Sequence, residues 1–168
     1  MLRMVGTVRR WGLALAACGV LLGGGLALAD EGKDGAKTLA QGILDKGAAL
    51  FDTKDASAMA KTYVAGAELH VISRGESSGP FEVQVLHGRD AIREQYAKVF
   101  EGDPNEKTTS KNVVTYAEKI GDDMLVIHGH FSPNTALSDS YQFTQTRVRV
   151  DDQWKILQLN LYIVKSGN

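Results

Sequence analysis

The pattern of hydrophobic and polar positions predicts a chain that begins with helices and ends in strands. Between residues 38 and 51, apolar residues recur three and four positions apart, which predicts an amphipathic helix. Thr53 or Asp55 can cap a second, short helix after it. Alternation of apolar and polar residues then predicts strands over 67–73 and 81–87, joined by a turn rich in glycine and serine.

The rest of the chain predicts one more helix and four long strands. Asp90 can cap the helix, which runs to Phe100. The strands are predicted over residues 108–120, 124–131, 139–150 and 153–165. Asp122-Asp123 and Asp151-Asp152 fall between neighbouring strands and indicate hairpin turns. Helices that cover one face of an antiparallel sheet define the α+β class, which is the fold class we predict.

The last predicted strand is apolar on both sides. Strict alternation places two sets of side chains on opposite faces: Leu157, Leu159, Leu161 and Ile163 on one, and Trp154, Ile156, Gln158, Asn160 and Tyr162 on the other. Both faces are too apolar for simple exposure to water. We therefore expect the helices of the chain to cover one face and a second subunit to cover the other.

Residues 1–29 are predicted to be a secretory signal peptide. The segment carries Arg3, Arg9 and Arg10 near its start, has no charge from Trp11 onward, and ends in the small-x-small sequence of residues 27–29. The polar, glycine-containing residues 30–37 that follow are predicted to be a flexible lead-in. We accordingly expect a periplasmic or extracellular protein.

Two alternatives for the leader stay open. Leu15-Ala16-Ala17-Cys18 is similar to a bacterial lipobox, which would make Cys18 a lipidated N-terminus. A retained leader would instead be a membrane anchor, although its glycines weaken it as a permanent helix. The sequence thus predicts membrane attachment only if the leader is retained or Cys18 is lipidated.

The composition restricts the partners and the chemistry. The 168 residues include 19 basic and 20 acidic ones, a balance that provides no basic stripe for a nucleic-acid backbone. Cys18 is the only cysteine, so a disulfide framework and a cysteine zinc site are both excluded. The sequence contains neither a glycine-rich dinucleotide loop nor a P-loop, and we expect no cofactor.

Three segments carry a resemblance to a known superfamily. They are LFDTKDASAMAKTYVAGAELHVI, HGRDAIREQYAKVF and FTQTRVRVDDQWKILQLNLYIV, and the resemblance around them covers about residues 38–165 of a domain predicted over 38–166. This region resembles nuclear transport factor 2-like proteins, especially the SnoaL-like branch. The resemblance implies a cystatin-like cone, in which a curved antiparallel sheet wraps around N-terminal helices and encloses a pocket. It also implies a homodimer through the outer sheet face.

The resemblance leaves the activity open, because its members include isomerases, cyclases, dehydratases, epoxide hydrolases and plain binding modules. His128 and His130 are the sharpest candidates for acid–base catalysis, since two residues apart on a strand they project to one face. They provide too few ligands for a metal site, and we predict none. Arg147 and Arg149 also share a strand face, as expected of an anion site or a solvated stripe.

We predict an exported domain that binds a small, partly apolar molecule and acts on it by acid–base chemistry. The residues predicted to line the pocket with the two histidines are Tyr63, Tyr96, Gln158 and Asn160. The alternative is a non-catalytic dimeric binding or assembly module. The two histidines discriminate between these hypotheses: facing inward beside Asn160 they favour an enzyme, and facing outward they favour the module.

Overall fold

The computed structural model describes residues 28–74, 79–101, 109–133 and 140–164. The predicted leader, with Cys18, lies outside these residues apart from its last two positions. The helices and strands follow in the order α1 (Leu28–Asp52), α2 (Ala56–Lys61), β1 (Tyr63–Arg74), β2 (Glu82–His87), α3 (Gly88–Val99), β3 (Lys111–Ile120), β4 (Met124–Ser132), β5 (Tyr141–Val150) and β6 (Gln153–Val164). Helices on one side of a curved sheet confirm the predicted α+β class.

The six described strands form one sheet in the order β2-β1-β6-β5-β4-β3. Neighbouring strands are antiparallel except for β1 and β6, which are parallel. The sheet is therefore mixed, whereas the sequence pattern predicted an antiparallel one. The parallel pair joins the β1–β2 hairpin to the β3–β6 meander. It could not be predicted, because the alternation of apolar and polar residues within a strand carries no information about which distant strand lies beside it.

Helix α1 begins ten residues before the predicted start. Residues 30–37, predicted to be a flexible lead-in, lie inside this helix. The reason is that its buried stripe continues toward the N-terminus in steps of four, through Ala36, Ala40, Leu44 and Ala48. Within the described residues, no helix is long and apolar enough to cross a membrane.

The N-terminal cap of α2 was predicted correctly, and that of α3 was not. Asp55 caps α2, because its Oδ1 accepts a hydrogen bond of 2.8 Å from the Ala58 N–H. The predicted Asp90 cap of α3 is wrong: the helix begins at Gly88, and Asp90 lies in its first turn. Gly88 has a φ of +79°, so the sharp turn out of β2 is made by the residue that adopts this conformation without strain.

A β-bulge in β6 overturns the predicted division of its faces. Thr146 pairs with Gln158 and the next residue, Arg147, pairs with Ile156, which leaves Leu157 without a partner in β5. Ile156 and Leu159 are buried, while Leu157 is 38% exposed. From the bulge onward Leu159, Leu161 and Ile163 point toward the helices, on the same side as Ile156. The side chains of Gln158, Asn160 and Tyr162 point to the opposite face.

Candidate functional site

A cavity of about 900 Å³ lies between the helices and the inner face of the sheet. We call the sheet face toward the helices the inner face and the opposite one the outer face. Apolar side chains from helices and strands form most of the wall, among them Leu44, Phe51, Val71, Phe131, Phe143 and Leu161. Both the volume and this lining are typical of a pocket for a small organic molecule.

One wall of the cavity is aromatic and is centred on Phe51 at the end of α1. Its ring meets those of Phe100 at 5.0 Å and Phe131 at 5.1 Å between centroids, both edge-on. Tyr96 completes the group, with its centroid 6.3 Å from Phe51 and 5.8 Å from Phe100. These separations are those of favourable aromatic pairs, so the rings form a packed aromatic wall.

Two tyrosine hydroxyls meet in the cavity. Tyr63, the first residue of β1, is fully buried, and its hydroxyl lies 2.9 Å from that of Tyr96 on α3. Burial raises the pKa of both phenols, that of Tyr63 well above its usual value, so both are neutral in the folded protein. One hydroxyl donates to the other, which leaves one phenolic proton to donate to a further acceptor.

A buried arginine adds a positive charge to the lining. Arg147 lies on the inner face of β5 and is 5% exposed. Its Nε donates to Oε1 of Gln145 at 2.9 Å, and its Nη1 donates to the carbonyl oxygen of Trp154 at 3.3 Å. Burial lowers the pKa of Arg147 to about 10, so the side chain is a cation at neutral pH. Within the described parts of the chain, no carboxylate forms an ion pair with it.

The structure separates the six residues predicted to share a pocket. Tyr63 and Tyr96 line the cavity. His128 and His130 share one face of β4, but it is the outer face, because the inner positions of that strand are occupied by Leu125, Ile127 and Gly129.

The other two predicted pocket residues, Gln158 and Asn160, also lie on the outer face. The bulge at Leu157 is the reason, since it reverses the alternation of β6 between Ile156 and Gln158. A pocket containing both the tyrosines and the histidines is therefore wrong in its geometry, and the bulge gives no signal in the alternation of residue types.

The outer face carries one row of side chains that crosses all six strands. The strand registers place in it Val85, His70, Asn160, Thr144, His128 and Tyr116, which we call the outer row. Asn160 Nδ2 donates to Thr144 Oγ1 at 2.9 Å, and the ring of His128 lies 5.5 Å from that of Tyr116. His128 thus contacts neighbouring surface side chains and not the cavity.

The histidines form no metal site among the described residues, where no group of three or more His, Cys, Asp or Glu side chains is placed to hold an ion. Glu68 engages the other two histidines, with its carboxylate 3.0 Å from His70 Nε2 and 3.3 Å from His87 Nδ1. Both contacts lie on the outer face, in or beside the outer row.

Arg147 lines the cavity, although the sequence left open whether it belongs to an anion site or to a solvated stripe, and Gln145 is a lining residue that the sequence did not single out. The sequence paired Arg147 with Arg149 as one strand face, yet Arg149 is exposed and its Nη2 donates to Asp152 Oδ1 at 2.9 Å. The available signal was the alternation of β5 itself, because Phe143, Gln145 and Arg147 occupy successive inner positions.

A curved six-stranded sheet around helices, with a cavity between them, defines the nuclear transport factor 2-like fold, also called cystatin-like. No protein-family model matches the sequence. No curated protein matches it either. The fold is found in solved structures from several bacteria, and the chain shares it with them at low sequence identity.

A cystatin-like domain of unknown function from Nostoc punctiforme matches with a TM-score of 0.57 and 11% identity over 79% of each chain. A nuclear transport factor 2-like protein of unknown function from Shewanella oneidensis matches with a TM-score of 0.55 and 18% identity, over 72% of this chain and 93% of that one. Aln2 from a Streptomyces species matches with a TM-score of 0.52 and 19% identity, over 74% of this chain and 87% of that one.

Proposed function

We propose that this protein is an exported, SnoaL-like domain that binds a small, partly apolar molecule in its cavity. The observation that carries the proposal is the cavity itself, about 900 Å³ of space with an aromatic wall and a small number of buried polar groups. Export is supported by the basic, apolar and small-x-small parts of residues 1–29.

The arrangement favours binding over acid–base catalysis in the cavity. The predicted catalytic residues, His128 and His130, belong to the outer face. Tyr63 and Tyr96 are buried cavity residues whose phenol groups could exchange a proton with a ligand, and burial raises their pKa away from neutrality. A catalytic acid or base works best with a pKa near the operating pH, so the tyrosines are better suited to donating a fixed hydrogen bond.

Native mass spectrometry tests the proposal directly. The chain purified without added ligand or chelator should carry an excess mass of a few hundred daltons, and Nile red, a neutral apolar dye, should displace it. Leu161→Trp fills the cavity and should weaken dye binding at least tenfold. Leu39→Trp, at an exposed position of α1 outside the lining, is the matched control. A wild-type protein that neither retains a molecule nor binds the dye would overturn the proposal.

A second candidate function is a dimeric binding or assembly module that pairs two copies through the outer face. The observation in its favour is that the outer face has apolar side chains exposed at both margins. On β2 these are Val83 and Val85, and on β3 they are Val113 and Tyr116, with exposed fractions from 41% to 60%. The two functions are compatible, because the cavity and the outer face lie on opposite sides of the sheet.

A further inference from the structure

The cavity contains a positive charge that the described residues do not balance. Arginine is almost never fully buried unless it is paired, because removing an ion from water costs several kcal/mol. Arg147 has only neutral acceptors in the described structure, namely the Gln145 amide and the Trp154 carbonyl. Both tyrosines facing it are neutral, so neither provides the missing negative charge.

Arg147 also retains donors that could bind a ligand. A guanidinium group has five N–H donors, of which the Nε–H and one on Nη1 are used by described residues. The remaining donors belong to a side chain that lines the cavity. Tyr63 and Tyr96 add one unused phenolic proton, so the cavity offers several donors and a net positive charge to an anionic acceptor.

The more exposed residues of the cavity lining also carry a net positive charge. Three lysines contribute to it, Lys46 and Lys61 at exposed positions and Lys155 at a half-buried one. Asp152 is the only residue with a carboxylate among the described lining residues. It is exposed and already paired with Arg149. This excess of cations attracts an anion toward the opening and raises its local concentration.

We propose that the cavity binds an amphipathic monoanion, with its carboxylate on Arg147 and its apolar body against the aromatic wall around Phe51. This inference rests on the proposed function, since it requires the cavity to be a ligand site. A carboxylate matches the planar guanidinium fork. A single negative charge balances Arg147, whereas a phosphate dianion would leave an unpaired charge in an apolar cavity.

Equilibrium binding of three probes of equal chain length to the full chain tests the proposal. Decanoate carries the proposed head group, decanol is its neutral counterpart and decyl phosphate is its dianionic counterpart. Decanoate should bind at least tenfold more tightly than decanol, and more tightly than decyl phosphate. Tighter binding of decyl phosphate would overturn the assignment to a carboxylate.

Two variants locate the head group. Arg147→Met should weaken decanoate binding at least tenfold and leave decanol binding unchanged. Arg93→Met, at an exposed position of α3 outside the cavity lining, should leave both unchanged. Arg147→Lys keeps the charge and loses the fork, so it should weaken decanoate severalfold while preserving its advantage over decanol. If Arg147→Met does not fold, Arg147→Lys alone tests whether the guanidinium group binds the carboxylate.

Failure of this inference and failure of the proposed function give different results. If decanol and decanoate bind equally to the wild type and to Arg147→Met, the cavity is a ligand site but not an anion site. If neither probe binds the wild type and Nile red also fails to bind, the proposed function is overturned together with the inference.

Thermal denaturation adds a readout without ligand: Arg147→Met should be as stable as the wild type or more so, because an unbalanced buried charge is lost. A purely structural arginine would instead be needed for stability.

Discussion

Gly129 shows how a single missing side chain shapes the inner face. A Cβ at this position of β4 would lie 2.5 Å from the carbonyl oxygen of Val113 and 2.7 Å from Cζ of Phe143. Because a backbone oxygen and a core ring would both have to move, Gly129→Ala should lower the free energy of unfolding by about 1–3 kcal/mol. Urea denaturation followed by circular dichroism measures this change.

The matched control is Gly66→Ala in β1, where a Cβ meets nothing within 4 Å. Alanine is less flexible than glycine in the unfolded chain, so this variant should be as stable as the wild type or slightly more so. Equal losses of stability in the two variants would show that close packing at Gly129 is not the cause.

The buried tyrosines make stability depend on alkaline pH. Burial raises the pKa of Tyr63 and Tyr96 in the folded state, whereas in the unfolded chain they titrate near the ordinary value of about 10. Their contribution is therefore complete below about pH 10, and it is lost at higher pH as the unfolded chain ionises first. Arg147 acts in the opposite direction, because burial lowers its pKa in the folded state below the ordinary value, to about 10.

The Tyr63→Phe, Tyr96→Phe double variant isolates the tyrosine contribution. Between about pH 9 and pH 11, its free energy of unfolding should fall less steeply than that of the wild type. Tyrosinate absorbance of the folded wild type should also show two of the five tyrosines resisting ionisation until the protein unfolds. Identical pH slopes for the two proteins would contradict this prediction.

Among the elements, α1 and β3 are joined through an amide that protects a sheet edge. Gln41 Oε1 accepts from the Val114 N–H at 3.0 Å, and its Nε2 donates to the Asn112 carbonyl at 2.9 Å. Asn112 Nδ2 in turn donates to the Leu44 carbonyl at 3.1 Å. The Gln41 side chain thus takes the place of a neighbouring strand beside β3, which is the last strand of the sheet.

Gln41→Met should lower the free energy of unfolding by about 1–3 kcal/mol, because it leaves a backbone donor and acceptor of β3 without partners. Chemical denaturation measures the loss, and hydrogen exchange should show the Val114 amide losing protection. Gln84→Met, at an exposed position of β2, is the control and should change stability by less than about 0.5 kcal/mol. Equal effects at the two positions would rule out the proposed edge protection.

The helices and strands could be predicted from the sequence better than the faces that the strands present. Hydrophobic periodicity predicted each described helix and strand, although α1 begins ten residues earlier than predicted, and Asp55 capped α2 as predicted. The faces of β6 were wrong because one unpaired residue, Leu157, reverses the alternation, and a bulge depends on pairing with β5. Arg147 stayed undecided between an anion site and a solvated stripe for a related reason: a charged residue is expected to be exposed unless the strand around it is known to face a cavity.

For the whole molecule, the two faces of the sheet differ in character. The inner face has the leucines of β6, the tyrosine pair and Arg147, which together suit a ligand. The outer face has both candidate histidines and the outer row, with apolar side chains at its margins. Leu159, Leu161 and Ile163 face the cavity, so a dimer would be formed by the more polar outer face.

We predict that the whole molecule forms a dimer through its outer face. Thr144 lies near the middle of the outer row, half-buried on β5. In a two-fold symmetric interface a residue near the axis faces its own copy, so Thr144→Arg would bring two like charges together. We expect the wild type to be a dimer by light scattering and this variant to be a monomer of unchanged secondary structure.

Thr144→Val separates repulsion from the loss of the Asn160 hydrogen bond. It keeps the shape of the side chain and removes only the hydroxyl that accepts from Asn160 Nδ2. It should remain a dimer, because an apolar methyl is compatible with a buried interface. A wild-type monomer would remove the second subunit altogether. A Thr144→Arg protein that stays dimeric would place the interface elsewhere and leave the histidines of the outer row exposed to solvent, where they could contact a different partner.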